Sequence, residues 1–193
     1  RDRVAVVGVD YSLSPEARFP RAIEETAAAV RWLARHGGDV GIDGARLALG
    51  GDSAGAHISA AAALALRDAG EGGLLSGLVL NYGVFDDDFS RPSYALYGGG
   101  EYTLSAQEMR GFWRDHLPAD GARNNSLARP LRARLHGLPP AFLAITEFDP
   151  LHDENVAMAE ALRAAGVAVE ATVYPGTTHG FLEAMSVADR KST

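Results

Sequence analysis

One stretch constrains this chain more than any other: residues 47–66, LALGGDSAGAHISAAAALAL. It opens with a short apolar run, Leu47-Ala48-Leu49, of the kind that forms a buried strand. It turns through Gly50-Gly51-Asp52-Ser53-Ala54-Gly55 and continues as an Ala/Leu-rich helix with no breaker before Gly70. A strand that passes straight into a helix through glycines is half of a βαβ unit, so the sequence predicts a mainly parallel α/β sheet. Gly51-Asp52-Ser53-Ala54-Gly55 fits G-x-S-x-G in the strand–turn–helix context which that pattern needs. A nucleophilic serine has to stand on a sharp turn with its hydroxyl exposed. The expectation is that the tight backbone admits only small residues two positions either side of Ser53. The Ala54 N–H opens the helix and is the candidate donor to a developing oxyanion. The plainer reading is a glycine-rich turn with Ser53 as a helix cap.

The chain of 193 residues is 47% hydrophobic and 22% charged, the make-up of one globular domain with a real core. Its net charge is −7, and its basic residues, nearly all Arg, are scattered rather than clustered, which argues against nucleic acid as a partner. Without cysteine there is no disulfide, no thiolate zinc site and no cysteine nucleophile. No apolar run reaches the length of a membrane span, so stable membrane insertion is not expected. No targeting segment is visible, which says little about localisation; a cytoplasmic setting is the expectation. Yet the chain opens with Val4-Ala5-Val6-Val7-Gly8-Val9-Asp10, a β-branched run typical of a strand buried on both faces. Such a strand needs sheet neighbours. The sequence is therefore expected to lack an N-terminal part, in which targeting signals would also lie.

In order, Tyr11 to Glu16 is a loop, and a helix runs from Arg21 to His36 with Ile23, Ala27, Val30, Leu33 and Ala34 on one face, stopped by Gly37-Gly38. Leu74 to Tyr82 is a buried strand. Residues 83–140 break the rhythm: they hold Asp86-Asp87-Asp88, Gly98-Gly99-Gly100 and one helical pattern, Ser105 to His116. They are expected to form a lid- or cap-like insertion over the sheet edge within a single domain of residues 1–193. Alternation then resumes with a strand at Ala141 to Thr146, a helix at Glu154 to Ala165 and a last strand at Val167 to Tyr174. Phe181 begins a further helix. In doubly wound sheets the working residues sit at the carboxyl ends of strands.

A serine nucleophile needs a base and an orienting acid. His36 closes a helix, His57 lies one turn into the helix behind Ser53, His116 and His136 lie in the insertion, and His152 starts a helix. His179 follows the last strand in a Pro/Gly loop, from which an imidazole can reach Ser53. Asp149 follows the strand ending at Thr146, although it is also suited to an Asp-Pro turn. Asp153 and Glu154 are expected to serve the N-terminus of the next helix. The order Ser53, Asp149, His179 is the one found in α/β-hydrolases.

With these segments in view the sequence resembles the hormone-sensitive-lipase-like family of α/β-hydrolase esterases, in the branch with a GDSAG elbow. The resemblance rests on Asp10-Tyr11-Ser12-Leu13-Ser14-Pro15-Glu16, Phe19-Pro20, Gly51 to Gly55, Asp149 to Glu154 and His179-Gly180-Phe181. It implies Ser53 as nucleophile, Asp149 as acid and His179 as base, acting on small carboxylic esters, often with short acyl chains, and no cofactor or metal. It leaves two alternatives open: a ligand-binding, receptor-like protein on the same fold, and a hydrolase of amides or lactones. The family's His-Gly-Gly-Gly oxyanion loop precedes the first strand and is expected ahead of Arg1, since Gly98-Gly99-Gly100 lies elsewhere. A homodimer through the final strand is compatible with this reading.

Overall fold

The computed structural model describes residues 4–119, 122 and 125–183. Among these residues, four parallel strands lie in the order β1-β2-β3-β4: β1 Leu47–Asp52, β2 Leu75–Asn81, β3 Ala141–Phe148 and β4 Val169–Thr178. Helix α1 (Arg21–His36) precedes the sheet, α2 (Ala54–Asp68) joins β1 to β2, and α5 (His152–Ala164) joins β3 to β4. The segment between β2 and β3 carries α3 (Pro92–Tyr97) and α4 (Ala106–His116). Helix–strand alternation thus produces the parallel α/β architecture, as the pattern predicts.

The helices share one core with the sheet. Ile23, Ala27 and Val30 of α1 meet Ala56 and Ala60 to Leu64 of α2, and α2 lies on Leu47, Leu78 and Leu80. The small alanines of α2 let its backbone approach the strands closely, so larger side chains there would overpack by about 1–3 kcal/mol. Met158, Ala159 and Leu162 of α5 extend the same core over Leu143 and Ile145. A smaller cluster, Tyr94, Leu104, Met109, Trp113 and Leu151, packs α3 and α4 against the start of α5. A capping box starts α4: the Ser105 hydroxyl accepts from the Glu108 amide, and the Glu108 carboxylate accepts from the Ser105 amide.

Several elements differ from the sequence reading. Residues 4–10 form no strand; Val4 is 82% and Val6 90% exposed. Among the described residues they have no ladder partner, and a groove separates them from the free edge of β1. β2 is buried on one face only: Leu78 and Leu80 point under the helices while Val79 between them is exposed, as the period of two requires. Helix α1 ends at His36, ahead of Gly37-Gly38 as expected, but the chain does not unwind there, because Gly37 keeps right-handed helical angles. The chain continues as a 3₁₀ turn to Val40 and reverses at Gly41, with φ +77°. Helix α3 lay hidden in a loop-like composition. β3 and β4 both run beyond their apolar stretches toward the site. Residues 181–183 are helical, and the rest of the helix expected from Phe181 lies outside the described residues.

Candidate active site

β1 delivers Ser53 and α2 carries it away. Ser53 is the N-cap residue of α2 but makes no side-chain cap bond, so the plain capping role is not the one it plays. Its backbone takes φ 54°, ψ −112°, a conformation that costs a non-glycine residue of order 1–3 kcal/mol and is typical of functional turns. The turn is tied to the sheet by the Ser53 amide, which donates to the Asn81 carbonyl at 2.9 Å. A Cβ at Gly51 would lie 2.5 Å from the backbone of Gly55, so Gly51 has to be glycine. The expected mirror constraint at Gly55 is absent: a Cβ there meets nothing within 4 Å. The turn's crowding is one-sided because the chain doubles back over Gly51, whereas Gly55 already looks outward along the helix.

Residues far apart in sequence converge on the Ser53 hydroxyl. His179, immediately after β4, places Nε2 2.9 Å from Ser53 Oγ and Nδ1 2.8 Å from Asp149 Oδ2. Asp149, immediately after β3, is fully buried. Its Oδ2 also accepts from the Thr146 hydroxyl, and its Oδ1 accepts from the Leu151 amide at 2.8 Å. Two donors besides the imidazole already point at this carboxyl, which acts as the acceptor. His179 therefore donates from Nδ1, and its Nε2 lone pair is turned to the Ser53 hydroxyl. Turn residue and acid are thus not competing descriptions of Asp149: one oxygen closes the turn and the other meets the imidazole. Thr146 could not be singled out from sequence, since it ends an apolar run and meets Asp149 only through the turn that follows β3.

The structure places the remaining candidates elsewhere. His57 donates from Nδ1 to the Val84 carbonyl at 2.8 Å, and burial, then nearby His116, pushes its pKa down to about 3. It is a neutral wall residue. Its ring meets Trp113 at 6.0 Å and His116 at 5.1 Å in edge-on contacts. His152 meets the Thr146 carbonyl through Nδ1, His36 is half-exposed beside Asp39, and the carbonyl of His136 accepts from Arg67.

Asp153 and Glu154 lie in the first turn of α5, as expected, but neither caps it: the N-cap is Leu151. The Asp153 carboxylate accepts from the Ser93 amide at 2.8 Å. Glu154, fully buried, accepts from the Phe85 amide at 2.7 Å, and Asn155 bonds both the N–H and C=O of Gly83. The first turn of α5 therefore grips the chain leaving β2, a job visible only once that chain is folded across it. Burial holds the Glu154 carboxyl up at about 8, against the pull of the two amides.

Above Ser53 opens a cavity of about 570 Å³, walled chiefly by Ala54, His57, Val84, Met109, Trp113 and His179. Ala54, at the first position of α2, presents an N–H with no intrahelical acceptor to it. Among the described residues no group of three or more His, Asp or Glu side chains is placed to hold a metal ion.

A model of the alpha/beta hydrolase fold family matches residues 1–183. The chain belongs to the α/β-hydrolase fold family. It is 37% identical over 187 residues to an ethyl acetate hydrolase of Pseudomonas putida, covering 96% of this chain and 58% of that protein. Among solved structures, an esterase from the archeon Pyrobaculum calidifontis superposes with a TM-score of 0.88 at 35% identity, over 94% of this chain and 60% of that one. A fungal esterase from Rhizomucor miehei gives 0.86 at 41%, over 90% and 56%. The chain thus spans just over half the length of these α/β-hydrolases.

Proposed function

We propose that the protein is a serine hydrolase of small carboxylic esters with short acyl chains, working through Ser53, His179 and Asp149. The observation that carries this reading is the unbroken contact from Ser53 Oγ through His179 to Asp149, at 2.9 and 2.8 Å, at the floor of an apolar cavity. The names of the relatives, an ethyl acetate hydrolase and acetyl esterases, support the short acyl group.

In this mechanism His179 Nε2 takes the hydroxyl proton as Ser53 Oγ attacks the ester carbonyl carbon. The carbonyl π-bond opens to an oxyanion, which the Ala54 N–H stabilises; one such donor is worth about 10²–10³ in kcat. Asp149 holds the imidazole in the reactive tautomer and stabilises the imidazolium. The tetrahedral centre collapses, the imidazolium gives its proton to the leaving alkoxide, and an alcohol departs from the acyl-enzyme. Water, deprotonated by His179, then releases the carboxylic acid and restores Ser53. Residues 83–140, bearing α3 and α4, act as the lid over this cavity in our reading, and the edge of β4 is the surface through which two copies would pair.

The test is labelling by a fluorophosphonate followed by peptide mapping, alongside a panel of p-nitrophenyl esters, amides and lactones. Labelling at Ser53 with turnover of acetyl and butyryl esters is expected. Saturable ester binding without labelling would replace the enzyme by a receptor-like protein, and preferential amide or lactone cleavage would replace the substrate class.

A further inference from the structure

We propose that Tyr82 is a positioning residue for His179: its ring blocks the imidazole from swinging out of line with Ser53. This rests on the esterase reading above. His179 is held at Nδ1 by Asp149 and at Nε2 by Ser53, but the Ser53 contact is given up as its hydroxyl reacts, which leaves the ring to pivot about Asp149. Something has to close the remaining freedom. The Tyr82 ring lies against the imidazole, with centroids 5.0 Å apart and planes at 65°. Behind it, Phe181 contacts Tyr82 at 5.7 Å and Tyr174 of β4 at 5.1 Å, so the ring is itself backed by other rings.

The backbone at Tyr82 supports this assignment. Tyr82 has φ +37°, a left-handed conformation rare for a bulky side chain, and it is buried. Such outliers persist where the surroundings over-determine them and cluster at functional sites. Here the surroundings are the sheet itself. The Tyr82 amide donates to the Ala144 carbonyl at 2.8 Å, continuing the β2–β3 ladder one residue past the strand. The preceding residue faces the other partner. The Asn81 carbonyl receives the Ser53 amide, and its side-chain amide donates to Asp52 at 2.8 Å. Two consecutive residues at the end of β2 therefore register the serine turn and the imidazole against each other.

The ring rather than the hydroxyl is the working part. The Tyr82 hydroxyl is buried, and burial followed by the Asp52 carboxylate beside it raises it above its usual range, so it remains a protonated phenol. It keeps that proton and exchanges none with His179 at working pH.

The experiment compares Tyr82→Phe, Tyr82→Leu and Tyr82→Met with the unaltered protein. Each variant is checked by far-UV circular dichroism and assayed for kcat and KM on a p-nitrophenyl ester and for the rate of fluorophosphonate labelling. Leu and Met keep bulk but lose the flat ring. They are expected to lower kcat and the labelling rate about 10- to 100-fold, with KM within about twofold, the scale of a misplacement of about 1 Å. Phe is expected to restore rates to within about threefold. Two independent ring-less variants keep the test readable when one fails to fold. Wild-type kcat in a folded Leu or Met variant, a rise in KM with kcat unchanged, or a Phe variant as slow as Leu would each overturn the assignment. If the unaltered protein neither turns over an ester nor labels, the esterase reading has failed instead.

Discussion

Glu154→Gln removes one titrating proton from beneath the site and leaves its shape almost unchanged. Glu154 Oε1 accepts from the Phe85 and Asp86 amides, and Oε2 is buried with no partner among the described residues. A Gln keeps the accepting oxygen in place and carries no charge at any pH. Burial raises the Glu154 pKa from 4.5 to about 8 in the folded chain. In the unfolded chain it titrates near its ordinary value. Below that value both states are protonated and the buried acid carries no ionisation penalty. As pH rises further, the unfolded state releases its proton while the folded state holds it, so stability is lost until the folded group also ionises near pH 8. At about 1.4 kcal/mol per pH unit, the full shift amounts to about 5 kcal/mol. The assay is urea unfolding of both proteins from pH 4.5 to 9. The difference in unfolding free energy should be smallest at the acid end, grow in favour of Gln by about 1.4 kcal/mol per unit at most, and level off above pH 8. Parallel curves across that range would mean that Glu154 is already ionised in its buried seat, and the argument would fail.

Asp149→Asn is expected to cut kcat by about 10⁴, since an amide cannot hold the reactive tautomer. It should also lower stability by about 1–3 kcal/mol, because three donors converge on that carboxyl; Asp153→Asn should leave kcat within tenfold. His179→Ala should abolish turnover, whereas His57→Ala should retain most of it, and steady-state kinetics with a short ester reads both. Gly51→Ala should lower Tm sharply or prevent folding, because its Cβ meets the Gly55 backbone. Gly55→Ala, with open space and a helical position, should raise Tm, by up to about 1 kcal/mol of stability. Calorimetry on the pair checks the one-sided crowding of the turn.

Much of this architecture is written in local patterns. The strand–glycine–helix run around Ser53, the heptad-like face of α1 and the Ser105–Glu108 capping box are decided by residues a few positions apart. Short-range sterics and hydrogen bonding act at that distance, so they can be read without coordinates. The order of Ser53, Asp149 and His179, each at the end of an apolar run, was legible for the same reason: parallel strands carry their carboxyl ends to one edge. What stayed hidden depends on contacts between distant segments. Glu154 looked like a helix-terminus charge until the chain after β2 was seen folded across it. Residues 4–10 have the composition of a buried strand, but a strand exists only through a neighbour's hydrogen bonds, and none meets them among the described residues. His57 carries the same imidazole as His179, yet it is bonded to Val84 and buried against aromatic rings, which holds it neutral, while His179 stands between a carboxylate and a hydroxyl. Side-chain chemistry is local to the sequence, but the field and partners that decide what it does come from the whole tertiary arrangement.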